Sequence, residues 1–106
     1  MTFIEAFEKV KKYVKKDFVD YKDCAIQVEL TDEDAHGIMY ICVKDKTVYV
    51  EPYDYVDNNV SIQLLSKDLI RILSCRLRVD TALKKELLKT NNNSEDICLL
   101  SVIASK

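Results

Sequence analysis

The segment from residue 25 to residue 55 constrains the fold of this chain more than any other part. It reads AIQVELTDEDAHGIMYICVKDKTVYVEPYDY and contains candidate strands joined by charged turns. In the first strand, Ala25 to Thr31, apolar and polar side chains alternate, which is typical of a strand with one buried face. A sheet with one strongly apolar face suits a site for an apolar ligand, and it equally suits an ordinary core.

Two further strands follow in the same segment. Ile38 to Val43 is apolar throughout, which predicts an interior strand with both faces partly covered. Asp45-Lys46 is a candidate two-residue hairpin turn, and the third strand runs from 47 to 51. It ends near Pro52, which has no N–H to donate to a neighbouring strand. Gly37 is the only glycine in the chain, and we expect it to adopt a positive φ angle in the turn after the first strand.

Helical periodicity appears on both sides of this segment. Residues 2–16 predict an amphipathic helix with Thr2 as its N-cap. Residues 60–65 are typical of a fourth strand. Ser66 is a candidate N-cap for a helix that runs to Leu77, and Asp80 is a candidate cap for a short helix through Lys85.

The carboxy-terminal part is less regular. Residues 86–90 fit either a continued helix or an edge strand, while 54–59 and 91–94 are predicted loops. From Glu95 onward we expect a last helix that is apolar nearly all round, so another surface must cover it. The core, a dimer contact or the wall of an occupied cavity would each provide that cover.

The composition excludes several classes of function. A chain of 106 residues is expected to form one domain. Its net charge of −2 argues against nucleic-acid binding, which needs a basic surface. No apolar run approaches the length of a membrane span, and Glu5 and Glu8 interrupt the apolar stretch that a secretory signal would need. We therefore expect a cytoplasmic protein.

No constellation of residues indicates catalysis or metal binding. His36 has no second histidine or ligand-spaced cysteine beside it, so a metal or catalytic role is disfavoured, and a small hydrolase using His36 with a cysteine is the remotest alternative. The acidic residues 32–34 lack the ordered oxygen spacing of a calcium loop. The cysteines form no CxxC pair and are interpreted as small buried hydrophobic residues in a reducing compartment, with a disulfide framework as the alternative; they are Cys24, Cys42, Cys75 and Cys98.

The segment from Ala25 to Tyr55 resembles bacterial members of the sterol carrier protein type-two family of lipid-transfer domains. The resemblance extends along the chain: Ser74-Cys75-Arg76-Leu77 is similar to the family's Ser-Gly-Lys-Leu at a helix end. Residues 82–93 lie where the family has an Ala followed by Gly-Lys-Leu-Lys-Val and a Gly-Asp or Gly-Asn. The chain departs from this pattern in having other residues at three family glycines and at a frequent proline, which leaves open the shape of residues 77–92. These departures are Cys75, Glu86 and Asn92 for glycine and Val79 for proline.

The resemblance implies an α/β (α+β) fold in which a five-stranded, mostly antiparallel sheet carries its helices largely on one face. Residues 86–90 then become the fifth strand, and residues 1–106 form a single sterol-carrier-like domain. The resemblance also implies a hydrophobic cavity between sheet and helices that holds a sterol, fatty acid or acyl chain. Burial contributes about 0.8 kcal/mol per methylene, so a long chain needs no charged anchor.

The expected function is therefore the binding or intracellular transfer of an apolar lipid, without enzymatic activity and without a cofactor. The predicted partner is a lipid or fatty-acyl ligand. A transient membrane contact through the lysines of the first helix and a homodimer remain open. The alternative is a structural or protein-interaction domain of the same fold, with a filled cavity, that self-associates through its last helix. The residues predicted to line the cavity are Phe7, Ile26, Val28, Met39, Ile41, Val43, Val60, Ile62, Leu69, Leu73, Leu100 and Ile103.

Overall fold

A mixed five-stranded sheet forms one layer of the structure. The computed structural model describes residues 1–14, 19–53, 60–91 and 95–104. The strand order is β3-β2-β1-β4-β5, and every neighbouring pair is antiparallel except β1 and β4, which are parallel. The predicted sheet, including its fifth strand, is therefore confirmed. The strands are β1 (Cys24–Leu30), β2 (Gly37–Lys44), β3 (Thr47–Glu51), β4 (Val60–Leu64) and β5 (Leu88–Thr90).

The helices contribute to a hydrophobic core with the inner face of the sheet. They are α1 (Phe3–Tyr13), α2 (Ser66–Leu73), α3 (Val79–Lys84) and α4 (Leu99–Ile103), and a 3-10 turn over Glu95–Cys98 precedes α4. The predicted helices are thus present; α2 and the last helix are shorter than expected, and α3 is shifted by one residue. The predicted loop at residues 54–59, the loop residues 92–94 and the predicted last turn of α1 lie outside the described residues.

Two local predictions are confirmed in detail. Thr2 caps α1 by a capping box: its hydroxyl accepts a hydrogen bond from the Glu5 amide, and the Glu5 carboxylate accepts one from the Thr2 amide. The hairpin turn between β2 and β3 is formed by Asp45 and Lys46, whose φ angles of 52° and 65° are both positive. Positive φ at both central residues is the type I′ geometry, which matches the twist of the adjoining strands.

The predicted cap of α2 is wrong. Ser66 is the first residue inside the helix rather than its N-cap. The Ser66 amide donates to Oδ1 of Asp32 at 2.7 Å, and its hydroxyl donates to Oδ2 of the same carboxylate at 2.9 Å. The free amide at the start of α2 is therefore satisfied by a carboxylate from the turn after β1, 34 residues earlier. The cap of α3 differs in the same way, since Arg78 occupies the N-cap position and Asp80 lies in the first turn.

The prediction for Gly37 is also wrong. Gly37 is the first residue of β2, and no described glycine has a positive φ. A glycine is required there by space: a Cβ atom on Gly37 would overlap the ring of Phe3 from α1. The first turn of α1 therefore lies directly against the start of β2.

The two helix ends that lack the family's glycines keep the backbone conformation that glycine favours. Cys75 has φ 64° and Glu86 has φ 59°. After α2, the Arg76 amide bonds the Arg71 carbonyl at 2.7 Å; after α3, the Leu87 amide bonds the Ala82 carbonyl at 2.9 Å. Both ends are Schellman motifs, in which a residue of positive φ follows the helix. The chain thus turns at these points without glycine.

Candidate functional site

The residues predicted to line a lipid cavity are all brought together between the sheet and the helices. Each of them is at most 6% exposed and belongs to one hydrophobic core cluster. On the inner face of the sheet, Ile26 lies beside Ile41 and Val60, and Val28 lies beside Met39 and Ile62. The remaining members are Phe7, Val43, Leu69, Leu73, Leu100 and Ile103. None of them lines the cavities found among the described residues.

A cleft of about 480 Å³ lies at one end of the helical layer. It is formed where the end of α2, the beginning of α3 and α4 meet, and we call it the α2–α3–α4 cleft. Its volume is within the range of roughly 300–1,000 Å³ that is usual for small-molecule sites. The lining residues are Ile72, Cys75, Leu77, Arg78, Val79, Asp80, Cys98, Ser101 and Ala104.

The walls of the cleft continue into the core. Ile72, Leu77 and Val79 line the cleft and are also members of the hydrophobic core cluster. The Schellman motif after α2 carries the chain from Cys75 to Leu77 along this wall. An apolar molecule in the cleft would therefore contact the same side-chain layer that contains the predicted lining residues.

The charged groups of the cleft lie toward solvent. Arg78 Nε and Asp80 Oδ1 are 3.3 Å apart, and their side chains are 84% and 60% exposed. An ion pair as exposed as this contributes little to stability and remains available to other partners. The cleft therefore has apolar inner walls with a polar rim.

The cysteines divide into two kinds. All four are free; Cys24 and Cys42 are buried, whereas Cys75 and Cys98 are exposed and line the cleft. Burial raises the pKa of the Cys24 thiol to about 11, and burial likewise raises the pKa of Cys42. The prediction of buried cysteines is therefore confirmed for Cys24 and Cys42 and wrong for Cys75 and Cys98. The latter two lie at the surface because one follows the end of α2 and the other precedes α4.

The acidic turn before β2 is engaged in structural contacts. Asp32 caps α2, and Asp34 lies 2.8 Å from the amino group of Met1. This ion pair lowers the pKa of Asp34. His36 Nε2 is 3.3 Å from Oε2 of Glu29, and its side chain is 62% exposed. Within the described residues no group of three or more metal-ligating side chains is found.

Sequence reasoning missed the α2–α3–α4 cleft because several of its walls are exposed and follow no simple periodicity. One signal pointed to it: Cys75 and Val79, two of the departures from the family pattern, both line it. Among the helices that the structure describes, none is long and apolar enough to cross a membrane.

The fold is that of sterol carrier protein 2 domains. Sterol Carrier Protein 2 Like 2 from Aedes aegypti is 16% identical, with 95% of this chain and 93% of that chain covered and a TM-score of 0.63. A solution structure of palmitated SCP2L2 from the same organism is 17% identical over 92% of this chain and 85% of that chain, with a TM-score of 0.51. At these identities the likeness concerns the fold alone.

The same fold is also found inside a longer protein. The stereoselective inverting sec-alkylsulfatase Pisa1 from Pseudomonas sp. is 13% identical with a TM-score of 0.67 over 79% of this chain. The present chain spans 13% of that protein's length. No protein-family model and no curated protein sequence matches the chain.

Proposed function

We propose that this chain is a single-domain, non-enzymatic binding protein for a lipid with a long apolar chain, which it holds or transfers inside the cell. The observation that supports the proposal is the α2–α3–α4 cleft, an apolar space in a sterol-carrier-like fold that shares its inner wall with the core. Its size suits one ligand, and apolar burial alone is enough to hold an acyl chain.

The proposed ligand lies with its polar end at the rim of the cleft and its apolar chain toward the core. Ile72, Leu77 and Val79 are the first side chains that it contacts. Beyond them lie the residues predicted to line a cavity, including Leu73, Leu100 and Ile103, which are closely packed in the absence of a ligand. A long chain reaches them only if α4 moves away from α2, so binding in this proposal opens the core.

A second candidate function is favoured by the burial of those same residues. Apart from Phe7 at 6% and Val43 at 2%, the predicted lining is completely buried. This is the packing expected of a structural or interaction domain whose cavity is filled by its own side chains. In that case the chain would bind a protein rather than a lipid.

Native mass spectrometry distinguishes these two functions. Protein is stripped of bound lipid and then mixed with palmitate, oleate and a sterol at equal concentrations. The lipid-binding proposal expects one adduct per chain, while a filled core expects the bare mass at every concentration. Sizing by light scattering at two concentrations then shows whether the protein that binds no lipid associates with itself.

Neighbouring positions on α4 supply a matched pair of variants. Ser101→Trp places a large side chain in the cleft, whereas Val102→Trp places one at a position 42% exposed that does not line it. We expect Ser101→Trp to remove lipid adducts and Val102→Trp to leave them unchanged. Equal lipid binding by the two variants would exclude the cleft as the site.

A further inference from the structure

The two thiols of the α2–α3–α4 cleft have no part in the reversible binding of a lipid. Cys75 directly follows the C-cap of α2, Cys98 directly precedes the first residue of α4, and both line the cleft. Both residues are exposed, and neither is held in a disulfide. The fold therefore brings two nucleophilic side chains, which are distant in sequence, to one space.

The inner walls beside these thiols are apolar. Ile72, Leu77 and Val79 line the same cleft and are each at most 9% exposed. A reagent from solution can reach the exposed cysteines while its alkyl chain is buried against these three side chains. Each methylene group that is buried strengthens binding about fourfold. The cleft should therefore concentrate a reagent with an alkyl chain beside the thiols, whereas a short reagent gains little.

The other groups of the cleft limit the kind of reaction. Among the described residues that line it there is no histidine, and the one carboxylate, Asp80, is 3.3 Å from Nε of Arg78. Acyl transfer to a thiol is usually assisted by a positioned base and by donors for the oxyanion. Addition of a thiolate to an electron-poor double bond requires no leaving group, and the thiolate is itself the nucleophile. The lining thus favours addition over acyl transfer.

We propose that the α2–α3–α4 cleft captures alkyl α,β-unsaturated aldehydes covalently on Cys75 and Cys98. The thiolate sulfur forms a bond to the β carbon, the π electrons of the C=C bond move to the α carbon, and the α carbon takes a proton from water. The thiol has released its own proton to water, so each adduct adds the whole mass of the aldehyde. No oxidant is consumed. The inference rests on the proposed lipid function in one respect, that the cleft accepts an alkyl chain.

Intact-protein mass spectrometry with trans-2-nonenal and trans-2-pentenal tests the proposal. The two probes carry the same reactive group and differ in the length of the alkyl chain, and their rates with glutathione correct for intrinsic reactivity. We expect nonenal to add to the protein at least about tenfold faster than pentenal after this correction. Its rate should also saturate with concentration, because binding in the cleft precedes bond formation.

Peptide mapping identifies the modified residues. The early adducts should lie on Cys75 and Cys98, while the buried thiols of Cys24 and Cys42 serve as internal controls and should remain unmodified in the folded protein. Nonanal has the chain and the aldehyde but no double bond. It controls for reversible imines on lysine side chains and should leave no adduct on a cysteine.

Variants separate the thiols from the space beside them. Cys75→Ser and Cys98→Ser should each remove one early adduct, and the double variant should remove the fast reaction. Ser101→Trp keeps both thiols and fills the cleft, so we expect it to abolish the preference for nonenal over pentenal. Val102→Trp is the matched control, at an exposed position of α4 outside the lining, and should retain that preference.

Equal corrected rates for the two aldehydes would overturn the proposal, because Cys75 and Cys98 would then react as ordinary surface cysteines. Early adducts at other residues, or a chain-length preference that persists in Ser101→Trp, would do the same. The palmitate adducts measured by native mass spectrometry distinguish this failure from that of the proposed function. If palmitate binds and nonenal shows no advantage, covalent capture alone is excluded; if neither binds, both proposals fail.

Discussion

At the scale of single residues, Cys75 and Glu86 show how the chain keeps a turn geometry without glycine. Both have positive φ angles and both lie one residue past a helix C-cap. A residue with a Cβ atom in this conformation costs roughly 1–2 kcal/mol, because Cβ approaches the following carbonyl oxygen. The hydrogen bonds of the Schellman motifs and the packing around them offset this cost.

Cys75→Gly and Glu86→Gly should therefore each stabilise the protein. We expect the free energy of unfolding to rise by about 0.5–1 kcal/mol per substitution, since the relief of strain exceeds the extra flexibility of glycine in the unfolded chain. Urea denaturation measures the change. The control is Lys84→Gly at the last residue of α3, which should destabilise by up to about 1 kcal/mol. If Cys75→Gly and Glu86→Gly destabilise as Lys84→Gly does, the positive φ angles are not strained.

Position 37 requires glycine because a larger residue would not fit there, and not because of its backbone angles. Gly37→Ala should destabilise by about 1–3 kcal/mol, because the new Cβ overlaps the Phe3 ring. In a Phe3→Leu background the same substitution should cost clearly less, since the ring is gone. Thermal unfolding of the four proteins in this cycle measures the coupling. Additive effects would show that Phe3 does not contact Gly37.

At the scale of secondary-structure elements, the start of α2 depends on a residue far away in sequence. Asp32 receives two hydrogen bonds from Ser66 and so connects the turn after β1 to the helical layer. β1 and β4 are paired in parallel, which brings the two segments that follow them to the same edge of the sheet. The cap is thus a product of sheet topology.

Asp32→Ala should destabilise the protein by about 0.5–2 kcal/mol, the usual cost of losing a helix cap. Glu33→Ala, at an exposed neighbour in the same turn, is the matched control and should change stability by less than about 0.5 kcal/mol. Hydrogen exchange of the first amides of α2 locates the effect, which should be faster exchange in Asp32→Ala alone. Equal stability of the two variants would show that the helix start does not need the carboxylate.

The terminal helix, α4, shows how an element that is apolar nearly all round is accommodated. Leu99, Leu100 and Ile103 are buried in the core, while Ser101 and Val102 are exposed. Packing against the core thus buries most of the apolar surface of α4, as the sequence analysis expected of some neighbouring surface. If α4 also formed a dimer contact, Val102 would be the exposed apolar side chain of this helix that could take part in it.

At the scale of the whole molecule, two cysteines lie in the cleft and two in the buried interior, so the reactivity of their thiols can be used to probe each region separately. Cys75 and Cys98 line the α2–α3–α4 cleft, whereas Cys24 and Cys42 are buried. At pH 8 a thiol with a pKa of about 11, such as Cys24, is almost entirely in its unreactive protonated form. Thiol chemistry therefore distinguishes the surface pair from the core pair.

Ellman's reagent at pH 8 should modify Cys75 and Cys98 in the folded protein and the other two thiols only after unfolding. If lipid occupies the cleft as proposed, saturating palmitate should slow the reaction of Cys75 and Cys98 severalfold, and Ser101→Trp should abolish that protection. Peptide mapping identifies the modified residues. Reaction of all four thiols at one rate in the folded protein would contradict the assigned burial, and unchanged rates with palmitate would place any bound lipid elsewhere.

Much of the local structure was predictable because it depends on neighbours in sequence. The alternation of β1, the Asp45-Lys46 turn and the Thr2 cap involve residues at most a few positions apart, and each was confirmed. The predictions for Gly37 and Ser66 were wrong because the deciding partners, Phe3 and Asp32, are 34 positions away in sequence. Chain order alone does not show which distant residue will contact which helix start or strand.

The sequence by itself determined the alternation that buries one face of the sheet and the helical stripes that cover it. Both follow from apolar periodicity, which each segment carries internally. The sterol-carrier-like arrangement of these elements was implied by the family resemblance and not by periodicity. Only the tertiary structure decided where space remains. The predicted lining residues fill the layer between sheet and helices, while the α2–α3–α4 cleft lies at the C-terminal end of α2. Periodicity specifies which side chains face inward, but a cavity is what remains after all of them have packed, so it depends on the whole molecule.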